Sequence, residues 1–119
     1  MAQKLGIVTR RPPYGSHHPH EALDVALISA AFNVDVHLVF LDDGVYQLLS
    51  GQDPAALGHP DMTGLLQQMD DADIDHVWAE AESLSARGLS ADGLCVPVSV
   101  LSRQDLAIRL AALDRVISL

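Results

Sequence analysis

The sequence predicts an α/β fold of three layers, with helices on both faces of a mostly parallel five-stranded sheet. Three observations support this fold class. Short, β-branched apolar segments alternate with segments of helical periodicity along the chain, which is typical of parallel sheets built by helical crossovers. A length of 119 residues suits one domain with one core, so residues 1–119 are interpreted as a single domain. Hydrophobic residues make up 49% and charged residues 19%, the balance of a globular chain.

The first predicted strand covers residues 5–9 and is apolar throughout, as expected for a strand buried on both faces. Two arginines and two prolines at 10–13 end it, and a helix follows over 20–32. The body of this helix has only three polar residues, Glu21, Asp24 and Ser29, so its polar face is narrow for a surface helix. We therefore expect a second surface, besides its own sheet, to pack against this helix. In so small a domain that surface belongs to a second chain.

The remaining elements follow from periodicity and from turn residues. Residues 62–69 place Met62, Leu65, Leu66 and Met69 at helical spacing, and Ser102 with Asp105 resembles a capping box at a helix start. Pro97 indicates that its strand lies near an edge or a bulge, because proline cannot donate to a central ladder. The further predicted strands are 36–41, 74–79, 94–100 and 115–119, and the further helices are 45–49, 62–69, 83–87 closed by Gly88, and 102–113.

Charge and hydropathy exclude several classes of function. Seven Lys and Arg oppose sixteen Asp and Glu, for a formal net charge of −9, so a basic patch for nucleic acid is not expected. Such an acidic surface suits solubility or a basic protein partner. No apolar stretch approaches the roughly 18 residues that span a bilayer, and Met1 to Lys4 lack a signal-peptide core. We expect a cytoplasmic protein without membrane contact.

Polar residues follow the first two strands, where parallel sheets gather their functional groups. His17, His18 and His20 invite a metal interpretation, but three ligands within four residues around Pro19 suit one tetrahedral ion poorly. The loop at 12–15 has one glycine and neither of the phosphate-binding glycine motifs, so nucleotide binding is not favoured. Asp42 and Asp43 are interpreted as helix-capping or interface residues rather than as a metal or general-base pair.

Cys95 is the single cysteine, so the chain can form no internal disulfide and no cysteine cluster for a metal. It lies in an apolar segment that we predict to be a strand, where burial would raise the pKa of the thiol and hide it. A buried structural thiol is therefore favoured, and a nucleophile or persulfide carrier is the alternative. No Ser-His-Asp arrangement can be identified from spacing. The residues predict no catalytic centre, no metal and no cofactor.

The most distinctive segments of the sequence resemble those of the TusC/DsrF subunits of the DsrE-like family. The block 40–48, Phe-Leu-Asp-Asp-Gly-Val-Tyr-Gln-Leu, carries the most specific similarity, followed by Gly51-Gln52, the Pro-Pro-Tyr-Gly at 12–15 and the Glu-Ala-Leu-Asp at 21–24. Weaker matches at 83–84, 87–89 and the closing helix and strand extend it over essentially the whole chain. Taken from these blocks, the candidate interface or strand-end residues are Tyr14, Gly15, Glu21, Asp24, Asp42, Asp43, Gly44, Tyr46 and Gln47.

The resemblance implies a flavodoxin-like, three-layer domain and a place in a sulfur relay, in which persulfide sulfur passes between cysteines of successive proteins. It implies assembly with TusD/DsrE-like and TusB/DsrH-like subunits into a hexamer of two heterotrimers. The relay cysteine of the TusD/DsrE type lies just past the third strand, and the comparable position here, near Glu80, has no thiol. The resemblance therefore implies a non-catalytic subunit. Two pathways remain open, 2-thiouridine formation in tRNA and cytoplasmic sulfur oxidation, and a stand-alone sulfurtransferase using Cys95 is the alternative of another class.

Overall fold

The computed structural model describes residues 3–12, 18–49, 74, 76–94 and 96–119. Five strands and three α-helices form the described part of the fold, together with a 3₁₀ helix at Asp42–Leu48 and a short one at Ala91–Gly93. The strands are β1 Lys4–Thr9, β2 Asp35–Phe40, β3 His76–Glu80, β4 Ser99–Leu101 and β5 Arg115–Ser118. The helices are α1 His18–Ala31, α2 Ala81–Ala86 and α3 Arg103–Ala111.

The five strands form one sheet in the order β4-β3-β2-β1-β5, and all neighbouring strands are parallel. The chain therefore moves outward from β1 through β2 and β3 to β4, and then returns to place β5 on the other side of β1. This pattern of alternating strands and helices confirms the predicted α/β class. It also places the carboxyl ends of all five strands at one edge of the sheet.

Each face of the sheet has its own apolar cluster, because successive strand residues point to opposite faces. On one face, Ile7, Leu38 and Phe40 pack with Ala22, Leu23 and Ala26 of α1. On the other face, Val8, Val39 and Trp78 pack with Leu106 of α3. Phe40, Ile7, Leu23 and Leu38 are fully buried. The three layers follow directly from these two clusters.

Where they fall on described residues, the predicted elements agree with the structure except at β4 and at some boundaries. The segment 94–100 is not one strand, since β4 begins at Ser99 and Leu94 forms only an isolated bridge to Leu49. Pro97, which lacks an N–H donor, lies before this edge strand. The predicted helix at 62–69 and the thiol of Cys95 lie outside the described residues.

Two predicted helix boundaries rest on local contacts that the structure contains. Gly88 follows α2 with φ +68°, the left-handed conformation that ends a helix at little cost only for glycine. Ser102 precedes α3, and its Oγ accepts a hydrogen bond from the backbone N–H of Asp105 at 3.2 Å.

Helix α1 leaves part of its apolar surface uncovered. Ile28 is 59% exposed, and Phe32, which follows the helix in a turn, is 78% exposed. Ala22 and Ala26 of the same helix are buried against the sheet. The helix therefore has one covered and one open apolar side, as its narrow polar face predicted. In the described part of the chain, no helix is long and apolar enough to cross a membrane.

Candidate functional site

An open groove lies at the carboxyl ends of β1 and β5. These two strands are neighbours, but the chain leaves β1 towards β2 and reaches β5 only after a crossover from β4 at the far edge of the sheet. Open parallel sheets bind their ligands at such a reversal of strand order. The groove has a volume of about 560 Å³, and the residues that line it are Arg10, Arg11, Asp42, Asp43, Ser118 and Leu119.

Asp42 forms one wall of this groove and links two strand ends. Its carboxylate accepts a hydrogen bond from Arg10 Nε at 2.9 Å and lies 2.8 Å from Arg10 Nη2. Its backbone N–H donates to Ser83 Oγ at 2.9 Å. Its φ of +50° lies in the left-handed region, which aspartate tolerates better than most residues. The turn after β2 is therefore fixed both to the end of β1 and to α2.

Asp43 pairs with a different arginine. Arg87 Nε donates to Asp43 Oδ1 at 3.0 Å, and the Arg87 guanidinium also lies 6.0 Å from the centre of the Tyr46 ring. The capping alternative predicted for the two aspartates is not found, although both lie in the first turn of the 3₁₀ helix, and their interface role stays a prediction. The residue at the cap position is Leu41, no side chain caps the 3₁₀ helix, and both carboxylates bind arginines instead.

Gly44 and Gln47 hold the 3₁₀ helix against the end of β1. Gln47 is fully buried, and its Nε2 donates to Thr9 Oγ1 at 2.8 Å and to the carbonyl oxygen of Arg11 at 2.9 Å. Gly44 lies so close to β1 that a Cβ there would overlap the carbonyl oxygen of Thr9. These contacts give a physical reason for a glycine and a glutamine within the Asp-Asp-Gly-Val-Tyr-Gln block.

Glu80 ends β3 and is the most buried carboxylate at this edge of the sheet, with 6% exposure. Ser83 Oγ donates to Glu80 Oε1 at 2.7 Å, and Arg103 donates to both carboxylate oxygens at 3.3 Å. These hydrogen bonds, and then the charge of Glu80, raise the pKa of the Arg103 guanidinium. A buried, ion-paired carboxylate thus occupies the position near which the resemblance places the relay thiol of the cysteine-bearing subunit type.

The chemistry of this edge is that of a structural ion-pair network. Each of the three carboxylates, Asp42, Asp43 and Glu80, is bound to an arginine. The Ser83 hydroxyl accepts from the backbone N–H of Asp42 and donates to Glu80, a carboxylate that is already ion-paired with Arg103. The arrangement is suited to fixing loops in place, and less to moving protons.

The other candidate residues are placed as follows. Glu21 and Asp24 lie exposed on α1, Gly44 is buried, and Tyr46 is half-buried. Tyr14, Gly15, His17 and Cys95 lie outside the described residues, as do the side chains of His18 and His20.

Sequence reasoning missed the contact of Glu80 with Arg103. Only the spacing of Glu80 and Ser83, three residues apart across a helix start, offered a local signal. Arg103 reaches Glu80 across 23 positions of sequence, so it could be placed only after β3 and β4 were paired.

A group of side chains with metal-ligating atoms lies at the opposite end of the sheet. Asp35, His37 and His76 bring one ligand atom each to within 4.8 Å of one another. The sequence drew attention to His17, His18 and His20 instead, because adjacent histidines are visible without knowledge of strand pairing.

Comparison with known proteins agrees with this architecture. The model of the DsrE/DsrF-like family matches residues 3–119. A protein from Pseudomonas aeruginosa named "Protein TusC homolog" is 40% identical over 119 residues, covering 100% of both chains. The "Intracellular sulfur oxidation protein DsrF" of Allochromatium vinosum is 40% identical over 94 residues, covering 79% of this chain and 69% of its own.

Among solved structures, the crystal structure of the YchN protein from E. coli superposes with a TM-score of 0.86. Its sequence is 25% identical, and the superposition covers 98% of this chain and 99% of the YchN chain. The fold and the relatives of the chain therefore lead to the same result. The chain belongs to the DsrE/DsrF-like family, among its TusC and DsrF members.

Proposed function

We propose that this chain is a non-catalytic subunit of a sulfur-relay complex, in which persulfide sulfur passes between cysteines of partner proteins. The relatives named TusC homolog and intracellular sulfur oxidation protein DsrF support a relay of this kind. The chain acts as a single domain over residues 1–119 in the cytoplasm. The pathway we favour ends in 2-thiouridine in tRNA, because the Pseudomonas aeruginosa relative aligns over its full length.

One observation carries the assignment of a non-catalytic role. Glu80, buried and bound by Ser83 and Arg103, fills the end of β3 near which the cysteine-bearing subunit type has its thiol. A persulfide sulfur there would displace a carboxylate that has two partners. The single thiol of the chain, Cys95, lies fifteen positions further along the sequence.

The open apolar side of α1 supports assembly with partners. Ile28 and Phe32 are 59% and 78% exposed, whereas soluble monomers usually cover such large apolar side chains when they occur together. The partners are a TusD/DsrE-like and a TusB/DsrH-like subunit, in a hexamer of two heterotrimers. With a net charge of −9, this subunit leaves contact with tRNA to other chains of the assembly.

A role in sulfur oxidation is the second candidate, and the similarity to the Allochromatium vinosum protein favours it. Both roles need the same assembly and differ in the protein that accepts the sulfur. They are separated by deleting the gene and measuring tRNA 2-thiouridine by mass spectrometry. Loss of the modified nucleoside supports the tRNA pathway, and an unchanged level supports the oxidation pathway.

The decisive experiment is co-expression with the two presumed partners, followed by light scattering. We expect a stable complex with the mass of a hexamer. The variant I28D/F32D should fail to assemble while keeping its fold. The control is I108D, which places one such charge on α3 at a residue that is 64% exposed.

Relay activity of the assembled complex then tests the role of the thiol. We expect Cys95→Ser to transfer sulfur at the wild-type rate. A complex that assembles with Cys95→Ser but transfers no sulfur would establish the sulfurtransferase alternative. A chain that stays monomeric beside its presumed partners would refute the subunit assignment.

A further inference from the structure

Three side chains converge on one face of the sheet, at the amino ends of β2 and β3. Asp35 and His37 are two residues apart in β2, so both project to the same face. His37 and His76 are paired across β2 and β3, which places their side chains next to each other on that face. This convergence is a consequence of strand register and is therefore held by the sheet backbone.

His37 is buried, and neither of its ring nitrogens makes a well-formed hydrogen bond in the described structure. The residue is 6% exposed. Its Nε2 lies 3.4 Å from Asp35 Oδ2, and Nε2 of His76 lies 3.9 Å from Asp35 Oδ1. A buried imidazole normally has a partner on at least one nitrogen, because an unsatisfied polar group in the interior is destabilising. With Nδ1 lacking a partner and Nε2 having only a long contact with Asp35, the cluster is suited to an occupant that the three side chains bind together.

We propose that Asp35, His37 and His76 form a binding site for a divalent transition-metal ion of the zinc type. Two imidazoles and one carboxylate are a recurrent ligand set for such ions, and water completes the coordination. A divalent ion bound by two neutral imidazoles and one carboxylate has a net charge of +1. The net charge of −9 on the chain favours such a positively charged site. Magnesium and calcium are disfavoured because they prefer oxygen ligands.

The present ring geometry defines the movement that binding requires. The His37 and His76 rings are stacked, with centroids 4.2 Å apart and an interplanar angle of 7°. The lone pairs of two parallel rings lie in parallel planes, so one ring must turn before both bind the same ion. His76 is free to do so, since its side chain is 47% exposed, whereas His37 is held by burial and by the Trp78 ring at 4.9 Å.

Calorimetric titration of the full-length chain with zinc chloride tests the proposal. We expect one zinc ion per chain, and Asp35→Asn or His76→Gln should each weaken its affinity by about tenfold or more, because loss of a residue that only hydrogen-bonds a metal ligand already costs about 10–100-fold. Both residues are partly exposed, so these variants should fold, which circular dichroism checks. The visible absorption spectrum of the chain with cobalt(II) bound tests imidazole ligation independently of the calorimetric titration.

The histidines at 17, 18 and 20 provide the matched control. The variant H17Q/H18Q/H20Q removes three other imidazoles and should bind zinc with wild-type affinity. If this variant loses the zinc while Asp35→Asn and His76→Gln keep it, the metal binds at 17–20 and the proposal is refuted. Absence of zinc binding by the wild-type chain refutes it as well.

Discussion

Replacing Gly44 by alanine tests whether the family block at 40–48 is set by backbone contact. In a helix interior, alanine is normally more stable than glycine by about 0.5–1 kcal/mol. At Gly44 the added Cβ would overlap the carbonyl oxygen of Thr9 and lie 2.9 Å from its carbonyl carbon and 3.2 Å from Arg10 Cα. All three atoms belong to the backbone at the end of β1 and just after it, so none can move aside by a change of rotamer. The backbone of the 3₁₀ helix must therefore shift relative to the end of β1.

We expect Gly44→Ala to lower the free energy of unfolding by about 1–3 kcal/mol, the usual cost of overpacking a core. With a urea dependence of about 1–3 kcal/mol per molar, this decrease corresponds to a shift of roughly 1 M in the unfolding midpoint. Urea denaturation followed by circular dichroism measures it directly. Because the shift moves the 3₁₀ helix away from β1, the Gln47 side chain should also lose its short contacts with Thr9.

Gly6→Ala is the matched control. Its Cβ would lie 2.7 Å from Leu113 Cδ1, the mobile end of a half-buried side chain, with the next atoms at 3.5 Å. We expect a change within about 1 kcal/mol of zero, because relief by Leu113 and the higher strand stability of alanine oppose the crowding. A Gly44→Ala variant at least as stable as the wild type would refute the argument from backbone contact.

Three further perturbations probe other parts of the fold. Gly88→Ala should lower the free energy of unfolding by about 1–2 kcal/mol because of its φ of +68°, and Gly88→Asn by less, as urea midpoints will show. Burial lowers the pKa of His37 in the folded chain, so the unfolded chain binds more protons below pH 6.5 and stability should decrease as the pH falls through that value. With metal chelated, His37→Leu should flatten this part of the stability profile, and an unchanged slope would contradict the assignment. Arg103→Gln should destabilise the chain by leaving Glu80 buried with one partner, and the double variant with Glu80→Gln should recover part of the loss in a double-mutant cycle.

The fold could be predicted because its signals are local. Apolar runs marked the strands, Gly88 marked a helix end, and Ser102 marked a helix start, each within a few residues of sequence. The one predicted strand with clearly wrong bounds is β4, and it is wrong because its signal is not local. Residues 94–98 have strand-like composition, but strand formation depends on whether a neighbouring strand can pair, and on its outer side β3 pairs only with Ser99–Leu101.

The site could be predicted only in part, because its contacts join distant positions. The block at 40–48 was recognised, but the partners of its aspartates, Arg10 and Arg87, are 32 and 44 positions away. The capping interpretation was reasonable for a local sequence and was overridden by these longer-range ion pairs. The convergence of His37 with His76 was equally invisible, since it requires the register of β2 and β3.

The short outer strands of the sheet restrict how another chain can add to it. The edge strands β4 and β5 have three and four residues, so a strand docked along either one would gain only a few ladder hydrogen bonds. Natural proteins use short edge strands to resist uncontrolled edge-to-edge aggregation. A domain built in this way can have a large apolar helix surface for specific assembly and still present little template for amyloid-like growth.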